Sequence, residues 1–167
     1  IIQQLRKMTG LEFDMPTEAQ WEYAARGGGC SHNYIYPGGN NLADVWCGID
    51  QRNDPILSDT PNELGIYNMA DGRSEWCKDY YSSYSSYFAI QNNPCVEYGS
   101  VHVIRGGMSS LSNPHEYSST WKESKTYPSR DQSACRITFR SAAGEHGCSA
   151  QIDYGIKTTV RFVLNIE

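Results

Sequence analysis

One stretch, Met15-Pro16-Thr17-Glu18-Ala19-Gln20-Trp21-Glu22-Tyr23-Ala24-Ala25-Arg26-Gly27-Gly28, constrains the fold more than any other, because it carries a helix start, an apolar face and a helix stop. Thr17 is placed to accept from the backbone N–H of Gln20 while the Gln20 side chain reaches back, a capping box, and Glu18 in the first turn suits the positive end of the helix dipole. Trp21, Ala24 and Ala25 fall at i, i+3 and i+4, so they share one face, and the two alanines let another element approach closely. The spacing predicts a short helix with that face buried. Arg26 stands near its negative end, and Gly27-Gly28 supplies the left-handed residue that ends it. An earlier helix is expected from Ile1 to Gly10, with Ile1 or Ile2, Leu5 and Met8 on one face and Arg6 and Lys7 in its last turn. The sequence opens directly into that helix without an initiator Met or a signal peptide, so it is expected to begin inside a domain.

Beyond this helix the punctuation changes. Gly27 to Thr60 is turn-rich, with Gly38-Gly39-Asn40-Asn41 as its clearest break, and Val45-Trp46-Cys47 is expected to insert into the core. The loop Ala70-Asp71-Gly72-Arg73 leads to a buried-looking Glu75-Trp76-Cys77, and Tyr80 to Tyr98 is a Ser/Tyr-rich meander. Val101 to Arg105 alternates enough for a strand, and Gly106-Gly107 marks close backbone approach at its end. Met108 to Ala134 has no periodicity and is expected to be a long surface loop or insertion, a class of segment that is functional or disordered. Ile137 and Phe139 are expected in a strand, as is Thr159 to Ile166. That last segment alternates too weakly to be a free edge, so it should need a partner from residues absent from this sequence. Trp21, Trp46 and Trp76 are expected to be buried together or nearly so, and Trp121 to be the exposed indole.

Length and composition narrow the classes. A chain of 167 residues is one domain with room for a core. With 14 basic against 19 acidic side chains there is no electrostatic footprint for nucleic acid or an anionic membrane. No run of about 18 apolar residues reads as a membrane-spanning helix. The 12 Tyr and 15 Gly, with many Ser and Asn, describe a loop-rich protein and match the chemistry of adaptable recognition loops. Six cysteines (Cys30, Cys47, Cys77, Cys95, Cys135, Cys148) are too widely spaced for a metal or redox motif and read as buried free thiols. One or two disulfides are the alternative, implying an oxidising compartment, and their pairing is open. His32, His102, His115 and His146 show no ligand spacing, and there is neither a Gly-rich phosphate loop nor a Gly-x-Ser-x-Gly elbow.

Four blocks then occur in a telling order: Asn62-Glu63-Leu64-Gly65-Ile66-Tyr67-Asn68-Met69, Ser74-Glu75-Trp76-Cys77-Lys78-Asp79-Tyr80-Tyr81, Val103-Ile104-Arg105-Gly106-Gly107 and Cys135-Arg136-Ile137-Thr138-Phe139-Arg140-Ser141. Together with the first helix they resemble the domain of formylglycine-generating enzymes and their sulfatase-modifying-factor relatives. The resemblance implies an α+β fold, a C-type lectin-like fold of the formylglycine-generating-enzyme type, loop-rich with short helices and small antiparallel sheets. It implies one domain over residues 1–167, with 108–134 as an insertion or variable loop. In that family strands precede the first helix, so the missing N-terminal segment is expected on the same domain or on another chain.

The resemblance also carries chemistry, from which this sequence departs. The catalytic members need two cysteines with four residues between them near the Cys135 position, a pair of soft thiolates that binds Cu(I). Here Arg140 and Ser141 follow at that distance, so no copper is expected. A branch of the family that takes iron ligands from a separate helical domain finds no such domain here. Family members hold Ca²⁺ with oxygens from the loop matching Asn68, Asp71 and Glu75 and from the stretch matching Asn41 and Leu42, a set of hard ligands adequate for the ion. Arg73 in that loop argues against calcium, or replaces its charge by pairing with Glu75 or Asp71. The family's Arg-Gly-Gly-Ser-Trp becomes Arg105-Gly106-Gly107-Met108-Ser109, and its closing Gly-Phe-Arg becomes Thr159-Val160-Arg161.

The reading that follows is a non-catalytic binding module similar to the variable receptor-binding proteins that retroelements diversify in phages and bacteria. Ser109, Ser110, His115, Tyr117, Trp121, Tyr127, Arg130 and Tyr154 would then surround a shallow site in the C-terminal third, with Tyr, Trp and Arg as anchors and Ser and His as adaptable contacts. The expected partner is a protein or glycan ligand, not nucleic acid and not a membrane interior, and the leaning for location is extracytoplasmic or on a virion surface. A formylglycine-generating-type oxidase with Cys135 as its surviving thiol, and a structural accessory domain of a larger surface protein, are the alternatives.

Overall fold

The computed structural model describes residues 1–45, 60–69, 74–82, 92–106, 136–137, 140–142 and 160–164. Helix α1 (Ile2–Thr9) ends as its sequence predicts, on Gly10 at φ 70°, whose N–H donates to the Arg6 carbonyl at 2.8 Å. Only part of its apolar face is used: Ile2 and Leu5 are half-buried, while Ile1 and Met8 face solvent. Arg6 Nε reaches the carbonyl of Phe13 at 2.7 Å and so ties α1 to strand β1 (Phe13–Asp14).

Helix α2 (Glu18–Ala25) has the full capping box: Gln20 N–H donates to Thr17 Oγ1 at 3.1 Å and Thr17 N–H to Gln20 Oε1 at 2.9 Å. Gly27, at φ 86°, provides the left-handed stop, and a turn of 3-10 helix (Gly28–Cys30) follows. The expected break after it is a two-residue turn in which Tyr36 and Gly39 exchange both backbone hydrogen bonds around Pro37-Gly38. Gly38 is at φ 94°, and a Cβ there would stand 2.9 Å from the Pro61 carbonyl oxygen. Gly38→Ala is therefore expected to cost about 1–3 kcal/mol, read as a lowered midpoint in a urea titration. The short helix α3 (Leu42–Val45) then delivers Val45 into the interior, as its sequence suggests; Trp46 and Cys47 lie outside the described residues.

Strands β2 (Glu75–Tyr80), β3 (His102–Arg105) and β4 (Ser141–Ala142) form an antiparallel sheet in the order β2-β3-β4. Its register pairs Glu75 with Arg105 and Trp76 with Ile104, then slips through a bulge before Tyr80 meets His102. β4 aligns Ala142 with Val103 and Ser141 with Ile104. One expectation is corrected here: Ile137 is buried in a turn rather than in a strand, and among the described residues the strand of this region is Ser141–Ala142. Phe139 lies outside the described residues.

A second correction concerns the last strand. β5 (Val163–Leu164) pairs antiparallel with β1, Phe13 opposite Leu164 and Asp14 opposite Val163, so its partner comes from within the chain. Strand alternation imposes a third. Glu75, Cys77 and Asp79 point inward, which sends Trp76 to the other side of the sheet, half-buried and edge-on to His102 at a centroid distance of 5.9 Å. Trp21 and Trp76 are therefore not buried together; Trp46 and Trp121 lie outside the described residues. The core is Trp21, Ala25, Met69, Cys77, Val103 and Ile137, with Ala24, Ile66 and Tyr81 packed against it. Among the described cysteines, all free thiols, only Cys77 fits the expectation of burial; Cys30 is exposed and Cys95 intermediate. No helix among the described residues is long and apolar enough to cross a membrane.

Candidate functional site

The eight residues proposed from sequence to form a binding surface, Ser109, Ser110, His115, Tyr117, Trp121, Tyr127, Arg130 and Tyr154, lie outside the described residues, as do Asp71 and Arg73. What the structure describes is the framework from which their segments depart and to which they return. Its centre is a set of buried charges between α2 and the sheet.

Arg105, at the end of β3, has a fully buried side chain. Its Nη1 donates to Glu18 Oε1 at 2.6 Å, and its Nη2 to Glu22 Oε2 at 2.8 Å and to the Ile137 carbonyl at 2.5 Å. The guanidinium also lies over the Trp21 ring, 5.1 Å from its centroid. Glu18 is shared. Both of its oxygens also accept from Arg140, through Nε at 2.7 Å and Nη2 at 2.6 Å, while Arg140 Nη1 donates to the Ser82 carbonyl at 2.7 Å. Arg140 in turn covers the Tyr81 ring at 4.7 Å. The Glu18 N–H donates to Asp79 Oδ2 at 2.7 Å, which holds the start of α2 against β2.

A second pairing lies beside the first. Glu75 accepts from Trp21 Nε1 at 2.6 Å and from Arg161 through Nη2 at 2.5 Å and Nε at 3.0–3.1 Å. Arg161 also reaches the Tyr67 carbonyl at 3.3 Å. Among the described residues the partner of Glu75 is Arg161; Arg73, which the sequence offers, lies outside them. Of the oxygens considered for calcium, those of Glu75 face this guanidinium, so an ion there would compete with a bidentate ion pair. Asn68 holds a left-handed backbone at φ 61°, Asn41 is exposed just before α3, and Leu42 opens that helix. Among the described residues no three His, Cys, Asp or Glu side chains gather as a metal site. The copper pair does not fit this chain either: the position that would need the second thiolate carries Arg140, a hard cation bonded to Glu18.

The charges shift one another. Burial alone would raise the Glu22 pKa, but hydrogen bonds and attraction from Arg105, then Arg26, outweigh it and hold the carboxyl below its usual range. Burial likewise opposes the charge on Arg105, and Glu22 and Glu18 more than restore it. Because the folded pKa of Glu22 is depressed, its contribution to stability is present above the unfolded value of about 4.3 and is lost as pH falls through the lower folded one. Urea midpoints are therefore expected to hold steady down to about pH 5 and to fall below about pH 4, less steeply in Glu22→Gln. Burial pushes the Cys77 thiol up, away from thiolate chemistry.

The placement of the three arginines gives the network its meaning. Arg105 stands just before residues 107–135, and its own side chain grips the Ile137 carbonyl just after them. Arg140 precedes residues 143–159 and Arg161 follows them. Each boundary of the two long segments is thus tied by a guanidinium to a carboxylate of α2 or β2. Sequence reasoning read Glu18 only as a dipole partner and Arg140 only as the place of a missing thiol. The signal was present: Glu18 lies one turn before Trp21 and two before Ala25, so an acidic side chain on that face demands a buried cation.

Comparison with known proteins agrees with this architecture. A family model for the sulfatase-modifying factor enzyme 1-like domain matches residues 3–144. The formylglycine-generating enzyme of Streptomyces coelicolor is 35% identical over 113 residues, which are 56% of this chain and 35% of that protein. That of Thermomonospora curvata is 30% identical over 152 residues, 77% of this chain and 48% of that protein. The chain thus spans about a third to a half of the length of these relatives. Treponema denticola variable protein 1 superimposes with a TM-score of 0.52 at 23% identity, covering 78% of this chain and 41% of that one, and shares the fold. Short helices, small antiparallel sheets and long connections are the α+β, C-type lectin-like arrangement of the formylglycine-generating-enzyme type. The matched blocks, the fold and the order of its elements together place this chain in the sulfatase-modifying factor enzyme 1-like family.

Proposed function

We propose that the chain is a non-catalytic ligand- or receptor-binding module whose binding surface is carried by the C-terminal third, in the manner of a variable protein. The observation that supports this reading is the set of arginine clamps at the ends of residues 107–135 and 143–159. A framework that fixes where a segment leaves and returns lets the residues between change without loss of the core. The composition of those residues, Tyr117, Trp121, Tyr127, Arg130 and Tyr154 among Ser and His, is that of adaptable recognition surfaces. The ligand class is a protein or a glycan. Likeness of fold to a variable protein supports the reading, and the replacement of a soft thiolate by Arg140 removes the chemical basis for copper oxidation.

The test combines two readouts on one variant. Alanine at Tyr117, Trp121, Tyr127 and Tyr154 together should leave the urea midpoint near that of the parent, while binding to a glycan array or to displayed surface proteins is lost. A parent that binds nothing selectively in either format, or a variant that binds as well as the parent, contradicts the proposal.

A further inference from the structure

We infer that His102 is a positioning residue whose side chain stands in for a ladder donor at the bulge of the sheet, and that this use locks its imidazole in the tautomer with the proton on Nδ1. The inference goes beyond the proposed binding role. It starts from the register of β2 against β3: Trp76 faces Ile104 and Tyr80 faces His102, so Cys77, Lys78 and Asp79 stand opposite the single residue Val103. Such a bulge brings more backbone carbonyls to the seam than the facing strand has N–H groups to satisfy. The backbone donors of this stretch turn to the other edge of β2, Lys78 N–H to the Pro16 carbonyl at 2.8 Å and Tyr80 N–H to the Val96 carbonyl at 2.9 Å. Two carbonyls of the bulge, those of Lys78 and Asp79, meet His102 Nδ1 at 3.1 and 3.2 Å.

A carbonyl oxygen only accepts, so Nδ1 carries a proton and shares it between the two. In the neutral imidazole the lone pair is then on Nε2. The ring is held for this task by stacking on Tyr80, with centroids 4.1 Å apart and planes at 25°, and by a T-shaped contact with Trp76. Beyond the bulge the ladder resumes, and Tyr81 N–H donates to the Val101 carbonyl at 2.7 Å. Tyr81 and Ser82 are the residues that Arg140 then uses, covering the ring of the first at 4.7 Å and donating to the carbonyl of the second at 2.7 Å. One imidazole thus fixes the register in which β2 presents these two residues to Arg140.

Heteronuclear NMR of the whole chain with isotopically labelled histidine, at a pH where imidazole is neutral, reads the tautomer directly. The ring whose signals vanish in His102→Asn is expected to show a pyrrole-type Nδ1 and a pyridine-type Nε2; the reverse pattern, or an average of the two, would overturn the inference. Native-state amide exchange at Tyr81 is the second readout. His102→Phe keeps a stacking ring without the donor, His102→Gln offers an amide near the place of Nε2, and His102→Asn offers one near the place of Nδ1. Exchange at Tyr81 is expected to be about 5- to 10-fold faster with His102→Phe and His102→Gln, as loss of one shared hydrogen bond predicts, and within about twofold of the parent with His102→Asn. The Trp21 amide, bonded to the Thr17 carbonyl within α2, is expected to stay within about twofold in all three, because the opening is local. Equal rates for His102→Asn and His102→Gln, or acceleration at Trp21 as large as at Tyr81, would also overturn it. Should His102→Phe fail to fold, the parent spectrum and the comparison of His102→Asn with His102→Gln still decide.

Discussion

Arg105→Met is expected to remove about 3–5 kcal/mol of stability, the largest loss expected of any single substitution at this site. The guanidinium is fully buried and bonded to Glu18, Glu22 and the Ile137 carbonyl. Methionine fills a similar volume, so the cost is electrostatic rather than a cavity. Glu22 would keep its exposed-side partner Arg26, at 2.8 Å, and Glu18 would keep Arg140, but each would lose the cation that faces it from the interior. Breaking a buried pair from one side leaves an uncompensated charge, whose cost exceeds what the pair itself contributes. Against a total of about 5–15 kcal/mol for an ordinary domain, that loss is large. A urea titration followed by circular dichroism measures it, and adding Glu22→Gln to Arg105→Met should recover part of the loss by removing one of the stranded charges.

Trp21→Ala is expected to cost a comparable amount, about 3–5 kcal/mol, for a different reason. The indole is 1% exposed and lies at the centre of the core cluster, under Arg105 and against β2. Alanine opens a cavity there and takes away the Nε1 donor to Glu75. Trp21→Phe separates the two effects. It keeps most of the ring and loses only the hydrogen bond to a charged acceptor, so it should cost about 1.5–3 kcal/mol. If Trp21→Phe proved as damaging as Trp21→Ala, the indole would be acting through its donor rather than its volume.

The parts of this fold that are written locally were legible in the sequence. Thr17 with Gln20, and Gly27 after Ala25, define α2 by rules that act within one or two turns, and the helix bounds follow them. Arg6, Gly10 and the alternation around Val103 are of the same kind. What the sequence did not show is set by partners far along the chain. The Arg105–Glu18 and Arg140–Glu18 pairs span 87 and 122 residues, and no periodicity links their members. The inward or outward choice at Trp76 is fixed by the pairing of Glu75 with Arg105, which puts a carboxylate rather than an indole beside the core. Arg161 stands alone after residues 143–159, and only the fold reveals that its use is to hold Glu75. The partner of β5 is hidden in the sequence because Phe13–Asp14 is too short to read as a strand.

The proposal that separates this chain from the formylglycine-generating enzymes it is similar to is that it binds a ligand and does not catalyse. The most direct measurement is the aldehyde content of a cysteine-containing sulfatase peptide after incubation with the protein, with and without Cu(I), beside a Cys135→Ala control. A lone thiol yields sulfenic acid or a mixed disulfide, and the cation at Arg140 provides no second soft ligand. The result predicted is no aldehyde above the control under either condition. Aldehyde above the Cys135→Ala level, in the presence or absence of copper, would contradict the account.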